Sequence, residues 1–275
     1  MKTSHLLYLG SCVDFISDMP SYSIDLIVTS PPYPHVAMWN YLGSVENLLA
    51  NVFINIDRII LPGGKICVNI GDAVINTSDT LGNGNFQLIP NAARFTNMLL
   101  VNSNIIMLPS IIWSKPTNAP NKFLGSGMNP PNAYVTLEHE HILIFSRIGK
   151  HVTDSESAYT IEERNTWFSD IWRIPGEKQI VEGAPRRNAA FPIDIPYRLI
   201  RMFSCKNNVV FDPFAGTATT TIAAIIAGRN SIGVEIDPFF FNYSVKRIIE
   251  TPYPNDIKVK IMRQEKDNIL FEAET

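Results

Sequence analysis

Apolar positions along this chain fall into two rhythms. Short runs rich in Val, Ile and Leu, bounded by turn residues, predict strands at "LLYL" (6–9), "IDLIVT" (24–29), "KICVNIGD" (65–72), "NIIMLPSIIWS" (104–114), "EHEHILIFSR" (138–147), "NNVVFD" (207–212) and "SIGVEID" (231–237). Between them lie segments with apolar residues three and four apart. The clearest runs from Val45 to Leu61, with Val45, Leu48, Leu49, Val52, Ile56 and Ile59 or Ile60 on one stripe, and "LPGG" (61–64) is expected to end it. Further helices are predicted at Asp14–Met19, Asn91–Asn102, Pro196–Ser204, Thr217–Ala227 and Pro238–Ile249. Strands alternating with helices through short turns predict an α/β fold with a doubly wound, mostly parallel sheet. Three stretches break the rhythm: Gly71–Pro90, Lys115–Tyr134 and Ile148–Asn188. They are rich in Asn, Gly, Pro and Ser, and stretches this long inside a compact domain are usually functional loops or inserted subdomains. The final segment, "PNDIKVKIMRQEKDNILFEAET", reads as an appended strand or hairpin.

Composition narrows the class without changing this picture. With 275 residues, 45% apolar and 18% charged, the chain is an ordinary globule of one large domain or two small ones. No apolar run reaches the roughly 18–20 residues of a membrane span. The stretch "MKTSHLLYLG" is too short in its apolar part for a signal peptide, so a cytoplasmic protein is expected. Cys12, Cys67 and Cys205 form no CxxC pair and are expected to be reduced thiols. His139 and His141 share a strand face, but no ligand cluster accompanies them, so no metal is expected. The net charge of −3 counts mildly against a nucleic-acid partner, although an acidic chain can carry a local basic face.

Two motifs suggest chemistry. "VVFDPFAGTATTTIAA" sets a glycine turn between a strand and a helix N-terminus, with Gly216 allowing close backbone approach and Thr217 near the N-cap. About twenty residues on, Glu235 ends the next strand. A carboxylate at that tip, beside the glycine turn, fits a ribose hydroxyl pair and implies a cofactor containing a nucleoside. The turn has too few glycines for a dinucleotide fingerprint and no Lys-Ser/Thr for a phosphate loop. The other motif is "TSPPYP" (29–34). Pro31 and Pro32 offer no N–H, and Ser30, preceding a proline, is held extended. The strand therefore ends in a rigid lip of hydrogen-bond acceptors with the Tyr33 ring beside it. Acceptors that grip an exocyclic amine free its conjugated lone pair, and a ring stacks on the base for about 1–3 kcal/mol.

Together, "TSPPY", "DPFAGTATT" and "GVEID" resemble the DNA amino-methyltransferases that use S-adenosylmethionine. "LPGGKICVNIGD", "ERNTWFSDIW" and "AAFPIDIPYRLI" are also similar to that family, and the resemblance covers most of the chain. The catalytic motif precedes the cofactor motif, the permuted order of the family's β group. The resemblance implies a circularly permuted seven-stranded sheet, with "NNVVFD" its first strand, "SIGVEI" the second, "LLYL" the third and "IDLIVT" the fourth. It implies that Ser30, Pro31 and Pro32 hold the target amine and that Tyr33 stacks on the base. The cofactor would be held by Gly10, Ser11 and Cys12 beside Glu235, by Asp212 and Thr217 at its methionine end, by Phe214 and Gly216 in the turn, and by Phe191 and Pro192. Two positions depart from the family pattern. Ser11 stands where aspartate is usual, with Asp14 a nearby substitute, and Ala218 stands where a second glycine is usual. An alanine at negative φ would be harmless there, whereas a positive φ would strain it.

Serine at the first motif position is typical of the N4-cytosine enzymes, so that activity is expected. N6-adenine methylation, methylation of an RNA base or protein amide, and a non-catalytic DNA-binding subunit remain open. Double-stranded DNA is the expected partner, with the target base flipped out; a cognate restriction endonuclease and a homodimer are possible. The chain is expected to form one methyltransferase domain: a catalytic half (1–147), a target-recognition insertion (148–188), a cofactor half (189–250) and an extension (251–275). Lys115, Lys122, Arg164, Arg173, Arg186 and Arg187 are the candidates for contacts with DNA. Trp167 and Trp172 are more often core residues than base-stacking ones.

Overall fold

The computed structural model describes residues 3–34, 44–76, 86–116, 124–125, 133–135, 137–151, 154–177, 182–183, 191–253, 257–263 and 272–274. In chain order the elements are β1 (Thr3–Leu9), α1 (Cys12–Asp18), β2 (Ile24–Thr29), α2 (Val45–Phe53), α3 (Ile56–Ile59), β3 (Ile60–Ile70), β4 (Ala73–Asn76), β5 (Phe86–Ile89), α4 (Asn91–Leu100), β6 (Ile105–Ser114), β7 (Leu124–Gly125), β8 (Ala133–Tyr134), β9 (His139–Arg147), α5 (Ile161–Trp167), β10 (Ile171–Arg173), α6 (Asp194–Phe203), β11 (Val209–Asp212), α7 (Thr219–Ala227), β12 (Asn230–Glu235), α8 (Pro238–Glu250), β13 (Ile257–Arg263) and β14 (Glu272–Glu274). No helix among the described residues is long and apolar enough to cross a membrane.

One sheet organises the molecule, in the order β10-β6-β9-β3-β2-β11-β12-β1-β13-β14. Only β9 and β14 run against the other strands. The central run β1-β12-β11-β2 places the four strands as the permuted order requires. The expected seven strands are the unbroken run β6-β9-β3-β2-β11-β12-β1 of that order. Three more extend the edges: β10 from the 148–188 stretch, and β13 and β14 from the C-terminal segment. β13 pairs in parallel with β1, so the C-terminal segment extends the main sheet.

Side-chain alternation explains the layering. On β2 every residue is buried, and from Leu26 on the side chains alternate, with Ile27 on one face and Leu26 and Val28 on the other. The first face carries α1, α2, α3 and α4 through Ile16, Leu49, Ile56 and Phe95. The opposite face carries α6 and α7 through Ile195, Leu199 and Ala223. Each helix buries its apolar stripe against a strand face, which is what a doubly wound sheet requires.

Several boundaries differ from the sequence expectation. The helix predicted to run from Val45 to Leu61 breaks into α2 and α3, and "LPGG" lies within β3. Gly63 takes φ 78°, and a Cβ on Gly64 would lie 2.8 Å from the Asp25 carbonyl oxygen. The glycines therefore admit an irregular, closely approaching strand opposite the register shift between Ile24 and Leu26. The glycine-turn helix starts at Thr219 rather than Thr217, and α6 starts at Asp194 rather than Pro196.

Candidate active site

The chemistry-bearing residues gather at the carboxyl ends of the parallel strands, where open α/β sheets place their ligands. β2 leads directly into Ser30, and Pro31 and Pro32 are buried behind it. Thr29 donates to Asp212 Oδ1 at 2.7 Å, tying the lip to the tip of β11. Ser30 Oγ lies 3.2 Å from the Tyr33 hydroxyl.

The sequence did not reveal what stands behind this lip. Tyr33 donates to Glu140 Oε2 at 2.8 Å. Asn69 Nδ2 donates to the Tyr33 oxygen at 2.9 Å and to Glu140 Oε2 at 2.6 Å. Glu140 Oε1 is ion-paired with Lys115. Burial, followed by the Glu140 charge, pushes the Tyr33 hydroxyl well above its ordinary range, so it remains a proton donor. A neighbouring amide, Asn91, donates to the carbonyls of Pro34 and Gly71 and anchors the far end of the lip. Asn69, Glu140 and Asn91 lie far from "TSPPY" in the chain. Only Asn69, set between Val68 and Ile70, hinted at a polar group held inside the sheet.

The glycine turn and the second acid meet as expected. Glu235 Oε2 accepts from Gly216 N and Oε1 from Asp237 N, both at 2.8 Å. Gly10 N donates to the Glu235 carbonyl at 2.9 Å, so the Gly10–Ser11–Cys12 loop lies beside that strand tip. Ser11 caps α1 by accepting from Asp14 N at 3.3 Å, a role an aspartate there would also fill. Cys12 is buried and its thiol is pushed up to about 12, chiefly by burial. Phe191 packs with Val28, Val210 and Ala223, next to the buried Pro192, and Phe214 is half-buried with its amide on Asp212 Oδ1 at 3.0 Å. Thr217 is only 2% exposed, and both its carbonyl and its hydroxyl accept from Arg247. It therefore fastens the turn to α8, a role the motif alone did not suggest. Ala218 adopts φ 62°, the strained alternative.

Asp212 is buried, and desolvation lifts its carboxyl to about 6. The groups acting on it are the Thr29 and Thr220 hydroxyls and the Phe214 amide, with no cation among the described residues. A buried acid without a counter-ion is suited to a cationic ligand.

The basic candidates separate. Lys115 belongs to the Glu140 pair at the lip rather than to a free phosphate-binding surface. Arg164 and Arg173 are exposed, on α5 and β10. Lys122, Arg186 and Arg187 lie outside the described residues. Trp172 is core, donating to the Trp167 carbonyl at 2.9 Å.

A family model described as DNA methylase matches residues 24–246. The chain belongs to that family. It is 41% identical to the type II methyltransferase M.MthZI of Methanothermobacter thermautotrophicus, across 98% of this chain and 83% of that protein. It is 42% identical to M.MjaI of Methanocaldococcus jannaschii, across 91% of each. The crystal structure of TTHA0409 from Thermus thermophilus, complexed with S-adenosyl-L-methionine, superposes with a TM-score of 0.76 at 27% identity, covering 96% of this chain and all of that one. The cytosine-N4-specific PvuII DNA methyltransferase shares the fold, with a TM-score of 0.66 at 19% identity, over 91% of this chain and 88% of that one. This DNA methylase thus uses S-adenosylmethionine.

Proposed function

We propose that this DNA methylase modifies the N4 amine of cytosine in double-stranded DNA as part of a restriction–modification system. Ser30 at the first position of the lip motif carries this reading. The lip grips an amine through acceptors, which either cytosine or adenine satisfies. Serine in that position favours cytosine because the resembling N4-cytosine enzymes carry it.

The roles proposed for the residues follow the family resemblance, and the geometry of the strand tips supports them. Asp212, Phe214, Gly216 and Thr217, with Phe191 and Pro192, surround the methionine end of the cofactor. Glu235 and the Gly10–Ser11–Cys12 loop take its ribose and adenine. The cofactor supplies an electrophilic methyl group on a sulfonium. Ser30 and the proline-lined lip accept from the amine hydrogens, which localises the nitrogen lone pair, and the Tyr33 ring stacks on the flipped base. Positioning dominates an in-line displacement of this kind. The amine loses its proton during or after attack, so no strong base is required. Arg164 and Arg173, with Lys122, Arg186 and Arg187, contact phosphates or base edges from the 148–188 insertion and the loop before it. A restriction endonuclease with the same recognition sequence is the matching partner, and the enzyme works alone or as a homodimer.

The test is to methylate mixed-sequence DNA with methyl-labelled S-adenosylmethionine, digest it to nucleosides and separate them by mass. Label in N4-methylcytosine is expected. Label in N6-methyladenine would keep the family and overturn the assignment of the base.

A further inference from the structure

Four side chains from neighbouring strands meet on one face of the sheet, at its active edge. The strands lie in the order β2-β3-β9-β6. On β3, Ile66, Val68 and Ile70 pack in one cluster and Cys67 in the opposite one, so alternation puts Asn69 on the Cys67 face. Val28 on β2, Ile142 and Ile144 on β9, and Ile111 and Trp113 on β6 belong to that same face. Ser30, Glu140 and Lys115 continue those rows. Their convergence is therefore a property of sheet register, with Glu140 directly opposite Trp113.

The donors and acceptors in this row have a direction. A carboxylate only accepts, so the single Tyr33 proton goes to Glu140 Oε2. Asn69 reinforces the arrangement by donating to both. Lys115 balances the carboxylate from the other oxygen, and its ammonium lies 4.7 Å from the Trp113 ring centre. With its own proton committed, Tyr33 meets Ser30 as an acceptor at 3.2 Å. The Ser30 proton then points at Tyr33; Asn69 Nδ2 makes a long contact to the Ser30 oxygen at 3.4 Å, and the remaining lone pair is left for a ligand.

We propose that Glu140, held by Lys115, is a positioning residue for methyl transfer: acting through Tyr33, it directs the hydrogen-bond chain so that Ser30 meets the target amine as an acceptor. This rests on the reading of the Ser30–Tyr33 lip as the amine-binding edge. Glu140→Gln leaves one acceptor oxygen where Tyr33, Asn69 and Lys115 now share two; with that oxygen kept by Lys115, an N–H faces Tyr33, whose proton turns toward Ser30 and sends the Ser30 proton toward the amine.

The experiment is single-turnover methylation of DNA by Glu140→Gln, Glu140→Asp, Tyr33→Phe, Glu140→Gln/Tyr33→Phe and Ser30→Ala, with S-adenosylmethionine affinity measured for each. Glu140→Gln is expected to slow the chemical step by about 10²-fold with cofactor affinity unchanged, on the scale of losing one preorganised polar contact. Glu140→Asp, which remains an acceptor, is expected to retain more of the rate. The double variant is expected to be no slower than Glu140→Gln, because removing the misdirected hydroxyl cannot add to the harm. A Glu140→Gln rate within twofold of wild type overturns the inference, and so does a double variant whose losses multiply. If Ser30→Ala keeps the full rate, the lip reading itself fails. If Ser30→Ala is inactive while Glu140→Gln is fast, only the role of Glu140 fails.

Discussion

In its proposed role, Asp212 links stability to cofactor binding through one buried charge. Its carboxyl is raised from 3.8 to about 6 in the fold, mainly by burial. The fold therefore favours the protonated form. That contribution is complete below pH ~4 and is lost as pH rises through about 6. A shift of this size corresponds to roughly 3 kcal/mol. The cofactor-free protein should lose thermal stability between pH 4 and 7, and Asp212→Asn should flatten that loss; thermal unfolding across pH measures both. S-adenosylmethionine affinity should run the other way, rising toward pH 7 in wild type and staying weak and flat in the Asn variant. Ala218 is the other residue-scale case. Its left-handed φ costs about 1–2 kcal/mol, while its methyl is fully buried and contributes about 0.8 kcal/mol. Gly would relieve the strain and lose the methyl, so Ala218→Gly should change stability by less than about 1 kcal/mol. A branched side chain in the same conformation should cost about 2 kcal/mol or more, measured by denaturation of Ala218→Val.

At the scale of elements, Arg229 joins two helix ends. It is fully buried, donates to the Ser204 hydroxyl at 3.2 Å and carbonyl at 2.6 Å, and also bonds the Ala227 carbonyl. These groups close α6 and α7, where carbonyls lack intrahelical partners and a cation is favoured. Arg229→Met should strand those carbonyls and cost about 2–4 kcal/mol, or roughly 5–10 °C in Tm, without touching the active edge. Element type was legible wherever a run was long and periodic: β2, α4 and α8 match their predicted positions closely. Boundaries failed where tertiary packing decided them. The 45–61 stripe is continuous in sequence, yet α2 and α3 are separate helices and Ile60 already pairs with Ile24. The short β10 took its place in the sheet only because Trp172 packs inward beside Trp113, a contact no local pattern encodes.

Across the whole molecule, function follows from one edge of one sheet. The tips of β1, β2, β11 and β12, the proposed site, were legible as candidates because each carries its signal in a few consecutive residues. The support behind the lip was not readable. Asn69, Glu140 and Lys115 are brought to Ser30 only by strand order and register, which are non-local. Lys115 looked like one more surface cation until the register placed it against Glu140. The proposed roles, with the lip acting on the amine and the tips of β11 and β12 holding the cofactor, predict that catalysis and cofactor binding are separable. The direct measurement is transfer of labelled methyl groups to DNA by wild type and Ser30→Ala, alongside S-adenosylmethionine affinity for both proteins. The account predicts labelled DNA from wild type, a loss of at least about 10²-fold in Ser30→Ala, and equal cofactor affinity. Undiminished transfer by Ser30→Ala would contradict it.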